Sequence, residues 1–482
     1  MTQKQFHHDL RRGLGSCIAE MMNSRDIETY TDEVLWCCRH EMAYDSQCEG
    51  TRAWYMFQMI QLYEDWKPFN DALYETALKK ISDRGSLFFQ TVEVMSLMAG
   101  AGYELSMRCL DDVFNRLIEI MRKSRKRRKW GIYPEFDNYE CICYVIFNNA
   151  YKNIEDKKKF FIKAVSALGY LCKENDRMVD SFEMDWFHFA VEDELGKDEA
   201  DKLIQTHMED EDVKRYYDNK VRLTGERDEN RQRERAALKY KGEELKWQGK
   251  GIDPDYLTAD KVYEIIKERK DLQKYLPPFL VIRWDRKDRS AETEKLVKYY
   301  ETEDDSMTRY AILSFISRKQ AAPFFTDNAI KRLIDDAEND MEQLSDQAIN
   351  TLCYIKSDLV YDYARRLLEQ CSVNVGAIDM FIRNYHEEDK EYVVSLVKSV
   401  PVRWNETDWH TIFCSVRDLY EDNKDKDIKL PDELLIYMYH EGFCATCREI
   451  YVILMEERGM LPDEIRMECR YDSNEDIREL MK

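Results

Sequence analysis

Ser306-Met-Thr-Arg-Tyr-Ala-Ile-Leu-Ser-Phe-Ile-Ser-Arg318, followed by Thr326-Asp-Asn-Ala-Ile-Lys-Arg-Leu-Ile-Asp-Asp-Ala337, sets the pattern for the rest of the chain. In the first segment Met307, Tyr310, Ala311, Leu313, Phe315 and Ile316 form an apolar face at helical spacing. In the second Thr326 is placed to cap a helix carrying Ala329, Ile330, Leu333 and Ile334. The pair then recurs. A first helix restarts at Ser345 (Ala348, Ile349, Leu352, Cys353, Ile355), and its partner runs from Asp358 (Val360, Tyr363, Ala364, Leu367, Leu368). Another starts at Asn374 (Ala377, Ile378, Phe381, Ile382), with a partner over Asp389–Val400 that Pro401 stops. Further pairs begin at Glu406 (Trp409, Ile412, Phe413, Val416), with a partner after Pro431, and at Ala445, with a partner from Pro462. Successive first helices step by 39, 29, 32 and 39 residues. One amphipathic pair cannot bury both of its faces, so recurring pairs predict stacking.

Composition agrees with an all-α chain. Of 482 residues 44% are apolar, enough for a large core, while Gly (16) and Pro (9) are too scarce for the many turns of a β fold. The 14 cysteines are scattered through apolar helical patterns and read as reduced core thiols. The polar N-terminus and the lack of an apolar run of about 18–20 residues give the expectation of a soluble cytoplasmic protein with no membrane partner. The net charge of −22 opposes general nucleic-acid binding. Residues 405–482 alone hold 20 Asp and Glu against 10 Lys and Arg, which suits a solvated face or a basic partner.

The paired helices of 290–482, with small Ala311, Ala348 and Ala377 inside first helices and Asp or Asn near the turns, resemble HEAT or HEAT-like repeats of the ARM type. The turn proline of that consensus is missing from most units. The resemblance implies an α-solenoid whose surface binds a protein or peptide, a non-enzymatic scaffold with no cofactor. The helical patterns at 53–63, 70–81, 87–101, 104–121, 137–151 and 155–172 read as degenerate repeats. The expected organisation is an N-terminal helical region over 1–208, a charged helical connector over 209–252 and a HEAT-like array over 253–482. The final, polar pair would serve as that array's cap.

Two clusters are candidate sites. Arg122, Lys123, Arg125, Lys126, Arg127, Arg128 and Lys129, closed by Trp130, put seven cations into nine residues of an acidic protein. Such a run binds phosphates or carboxylates, and Trp130 offers a stacking face. The competing reading is a solvated helix end, where cations favour the C-terminal dipole. Together with Arg231–Arg235 this run carries the alternative function, a nucleic-acid-associated HEAT-like protein. HEAT-like DNA glycosylases use Trp and Asp, which Trp186 and Asp185 would have to mimic. His440, Cys444, Cys447 and Cys469 have the residue types of a zinc set, but no second Cys-x2-Cys follows, and core thiols are the favoured reading. The dyads His40-Glu41, His386-Glu387 and His440-Glu441 resemble those of HEAT-like deoxyhypusine hydroxylases, without the four regularly paired dyads of that family. Phosphate-loop, dinucleotide, nucleophile-elbow and His-Glu-x-x-His motifs are absent.

Overall fold

A computed structural model of the chain describes residues 1–83, 85–123, 134–173, 185–222, 225, 258–268, 289–370, 375–400, 406–424 and 428–482. Every regular element among them is helical. No helix among them is long and apolar enough to cross a membrane. The chain divides into two compact units: residues 1–236 with 443–452 and 456–482, and residues 237–442 with 453–455.

In the first unit the helix Ser86–Gly100 is the hub. It packs against Ala53–Ile60, Lys67–Lys80, Glu104–Lys123 and Pro134–Val145. Its sequence accounts for this, because apolar residues surround it: Phe88, Val92, Val94, Met95 and Met98 are all buried. One core runs from Phe6 to Tyr216. Polar side chains inside it close loops. Asn138 Nδ2 donates to Ile81 O (2.9 Å) and Asp83 O (3.1 Å), satisfying carbonyls past the end of Lys67–Lys80. Gln90 accepts from Met42 N and donates to His40 O, both at 3.0 Å.

The helices Ala445–Glu457 (apart from residues 453–455), Asp463–Cys469 and Glu475–Leu480 also belong to this first unit. They were expected as the polar cap of the C-terminal array, within a domain starting at 253. Instead, Arg448 and Asp472, both with no exposed surface, tie them to the first helix, Gln3–Arg12. Gly15 marks the closeness of this contact: a Cβ there would lie 1.8 Å from Glu468 O.

In the second unit the first helices contact one another in chain order. Ser306–Phe315 packs on Glu342–Leu352, that on Val375–Arg383, and that on Glu406–Asp422. The partner helices Ser290–Thr302, Asp327–Ala337 and Asp358–Glu369 contact in the same succession. Thr326 caps its helix by accepting from Ala329 N (3.2 Å), as its position in the sequence requires. Asn374, Pro401 and the Arg231–Arg235 segment lie outside the described residues, as does most of the 209–252 connector.

Buried polar ties join some of these helices. Arg309 grips Asp336 with two nitrogens (Nε–Oδ2 2.8 Å, Nη2–Oδ1 2.7 Å), and Tyr300 Oη donates to Asp336 Oδ2 at 2.8 Å. Farther along, Tyr361 Oη donates to Asp389 at 2.8 Å. Tyr300→Phe keeps the ring in place but removes one hydrogen bond to a buried carboxylate. It is expected to destabilise the second unit by about 1.5 kcal/mol, read as faster amide exchange in Ser290–Thr302 and Asp327–Ala337. Unchanged exchange would show that Arg309 alone satisfies Asp336.

Candidate binding cleft

Three elements of the first unit surround a cleft of about 640 Å³. Ser86–Gly100 contributes Glu93. The end of Pro134–Val145 contributes Tyr144, and the π-helical turn Ile146–Ala150 contributes Asn148 and Asn149. Asp185–Leu195 contributes Phe189, Ala190, Glu192, Asp193 and Glu194.

The π turn follows from local packing. Ile146 and Phe147 are fully buried, and Tyr151 N reaches back five residues to Ile146 O (3.3 Å). The widened turn brings the Asn149 carbonyl against Ser86–Gly100, and only glycine fits there, since a Cβ on Gly100 would lie 2.1 Å from Asn149 O. Asn149 Nδ2 donates to Ser96 Oγ at 3.0 Å, which fixes the turn from the other side. π turns inside helices are frequent at functional sites.

Helix geometry also explains Phe189. Residues two apart on a helix point to different faces, so Phe187 and Phe189 cannot both enter the core. Phe187 is fully buried among Phe147, Phe160 and Phe161, while Phe189 is 65% exposed at the cleft.

The lining is acidic. Glu194 is paired with Lys157 (2.8 Å), whose ammonium sits 5.2 Å over the Phe147 ring. Glu93 accepts from the Thr51 hydroxyl, and burial pushes its carboxyl above the usual range. Glu192 and Asp193 have no ion-pair partner among the described residues, nor do the Asn148 amide and the Tyr144 hydroxyl have hydrogen-bond partners there. Tyr144 meets Phe89 edge to face at 6.5 Å. An exposed aromatic beside polar groups that have no partner among the described residues is equipped for recognition.

Those residues singled out from sequence whose side chains are described do not line this cleft. Arg122 and Lys123 end the helix Glu104–Lys123, exposed, each beside Glu119 (3.7 and 3.4 Å), with the Arg122 guanidinium 5.6 Å from the Tyr170 ring centre. Arg125, Lys126, Arg127, Arg128, Lys129 and Trp130 lie outside the described residues, as do the side chains of Asp185 and Trp186. Cys444, Cys447 and Cys469 are buried thiols of the first unit, whereas His440 belongs to the second and meets the Tyr439 ring edge-on at 5.0 Å. The other dyad histidines also pack on rings: His40 stacks on Trp36 and His386 on Tyr361, each at 4.2 Å. The cleft residues were missed because none forms a motif. The only local signal was the pair of phenylalanines two apart on one helix.

Comparison with family models, with curated proteins and with solved structures gives no match to this chain.

Proposed function

We propose that this chain is a non-enzymatic, cytoplasmic scaffold of HEAT-like helical repeats that binds a protein or peptide partner. The repeat reading is supported by the second unit, where first helices contact first helices and partner helices contact partner helices in chain order. The observation that carries the binding reading is the cleft of the first unit. There Phe189 stands 65% exposed beside Tyr144, Asn148 and Glu192, polar groups with no hydrogen-bond or ion-pair partner among the described residues. Aromatic anchors flanked by polar groups that need partners dominate the energetics of protein recognition.

The test is selection of displayed random dodecapeptides on the full-length protein, followed by rebinding to Phe189→Ala. Because Phe189 contributes little to the core, the variant keeps its fold, checked by circular dichroism. Selected peptides are expected to lose at least tenfold in affinity for the variant. Selection that yields no peptide, or only peptides indifferent to Phe189→Ala, would remove the cleft as a protein-binding site.

A further inference from the structure

We infer that the cleft of the first unit receives an arginine side chain from a positively charged segment of its partner; this rests on the scaffold reading above. Sign comes first. Four carboxylates line the cleft and one lysine, Lys157, answers one of them, Glu194. Glu192 and Asp193, with no ion-pair partner among the described residues, favour a cation and reject an acidic segment. An acidic lining alone would fit a metal ion, a polyamine or a lysine equally well.

The second observation separates these. The cleft pairs its carboxylates with aromatic rings, exposed Phe189 and half-buried Tyr144, and with the amide of Asn148. A guanidinium is flat, weakly hydrated and always charged. It stacks on an aromatic face while its in-plane N–H groups reach a carboxylate and an amide oxygen together. An ammonium is a compact, strongly hydrated point charge and gains less from a ring. A volume of about 640 Å³ falls within the range of pockets that enclose ligands larger than one side chain. The arginine is therefore presented on a chain whose neighbouring residues fill the remainder.

The experiment uses the full-length protein and four fluorescein-labelled peptides, each three repeats of X-Leu-Ala, with X as arginine, lysine, citrulline or glutamate throughout. Fluorescence anisotropy reads affinity, and hydrogen exchange reads where the peptide sits. The arginine peptide is expected to bind at least about tenfold tighter than the lysine and citrulline peptides, and the glutamate peptide not at all. It should slow exchange in Pro134–Ala150 and Asp185–Leu195. Phe189→Ala and the double variant Glu192→Gln/Asp193→Asn should each weaken it about tenfold, with unchanged circular dichroism. Equal binding of the arginine and lysine peptides, or of arginine and citrulline, overturns the inference. So does protection outside the cleft. If display-selected peptides still need Phe189 in that case, the scaffold reading survives without arginine selection. If neither set depends on Phe189, both fall together.

Discussion

Arg448→Met is expected to release the C-terminal helices Asp463–Cys469 and Glu475–Leu480 from the first unit at a cost of about 3–5 kcal/mol, the range for removing one partner of a buried ion pair. Arg448 has no exposed surface and neither has Asp472. Its guanidinium meets Asp472 through Nε–Oδ2 and Nη2–Oδ1, both at 2.9 Å, and donates through Nη1 to Arg12 O at 2.8 Å. Asp472 Oδ1 also accepts from Asn474 N (2.8 Å), and Ser473 N donates to Gly13 O (2.9 Å). Removing the arginine leaves a buried carboxylate short of donors and a helix C-terminus with an unsatisfied carbonyl. The readout is amide exchange: residues 3–23 and 463–480 should exchange together and faster, by about two to four orders of magnitude. The double variant Arg448→Met/Asp472→Leu should recover much of the loss, because an apolar pair leaves no stranded charge. Exchange rates that stay at wild-type values in Arg448→Met would show that the remaining contacts, including Arg52 to Arg11 O (2.7 Å) and Phe443 O (3.0 Å), hold the chain ends unaided.

The second large effect is on acid stability. His188 is buried between the Tyr216 ring, stacked at 5.7 Å and 12°, and the rings of Phe161 and Phe187. Burial, with a smaller contribution from the Lys220 ammonium, pushes its imidazole down to about 3 from the usual 6.5. In the unfolded chain the same group takes a proton near pH 6.5. Between these values the unfolded chain binds one proton more than the folded one, so stability falls as pH falls, by about 1.4 kcal/mol per pH unit. Above pH 6.5 the group contributes nothing to pH dependence. Lowering the pH from 7.5 to 4.5 should therefore cost the first unit about 3 kcal/mol through His188 alone. His188→Gln keeps an acceptor for the Tyr216 hydroxyl and removes the titration. Urea midpoints of exchange in Asp185–Leu195, compared at the two pH values, should fall far less in the variant. Equal falls in both proteins would mean that His188 is protonated inside the fold.

Much of the helical layout could be read from periodicity. The helix pairs of 306–400 are in place to within a few residues, and the cap at Thr326 acts through its side-chain oxygen. These features are local: a 3.6-residue apolar period and a hydroxyl before its first turn suffice to fix them. Most of the described cysteines likewise sit in the interior, with Cys143, Cys172 and Cys353 buried, while Cys109, Cys141 and Cys414 are half-buried and Cys48 is exposed. The candidate clusters fared differently, because residue type alone does not bring side chains together. The histidines of the dyads pack on rings, His40 and His386 stacked and His440 edge-on, and the cleft draws on residues from 93 to 194 that share no motif.

By itself, then, the sequence determined that the described residues are helical and placed the helices of 306–400 to within a few residues, since these follow from interactions within a few turns. Only the tertiary structure decided that residues 445–480 join residues 3–23, and that Phe189 stands exposed beside Asn148 while Phe187 does not. Both depend on side chains far apart in the chain competing for the same interior. A buried guanidinium chooses the carboxylate and carbonyls that satisfy it, and a core with room for one phenylalanine turns the next one out to solvent.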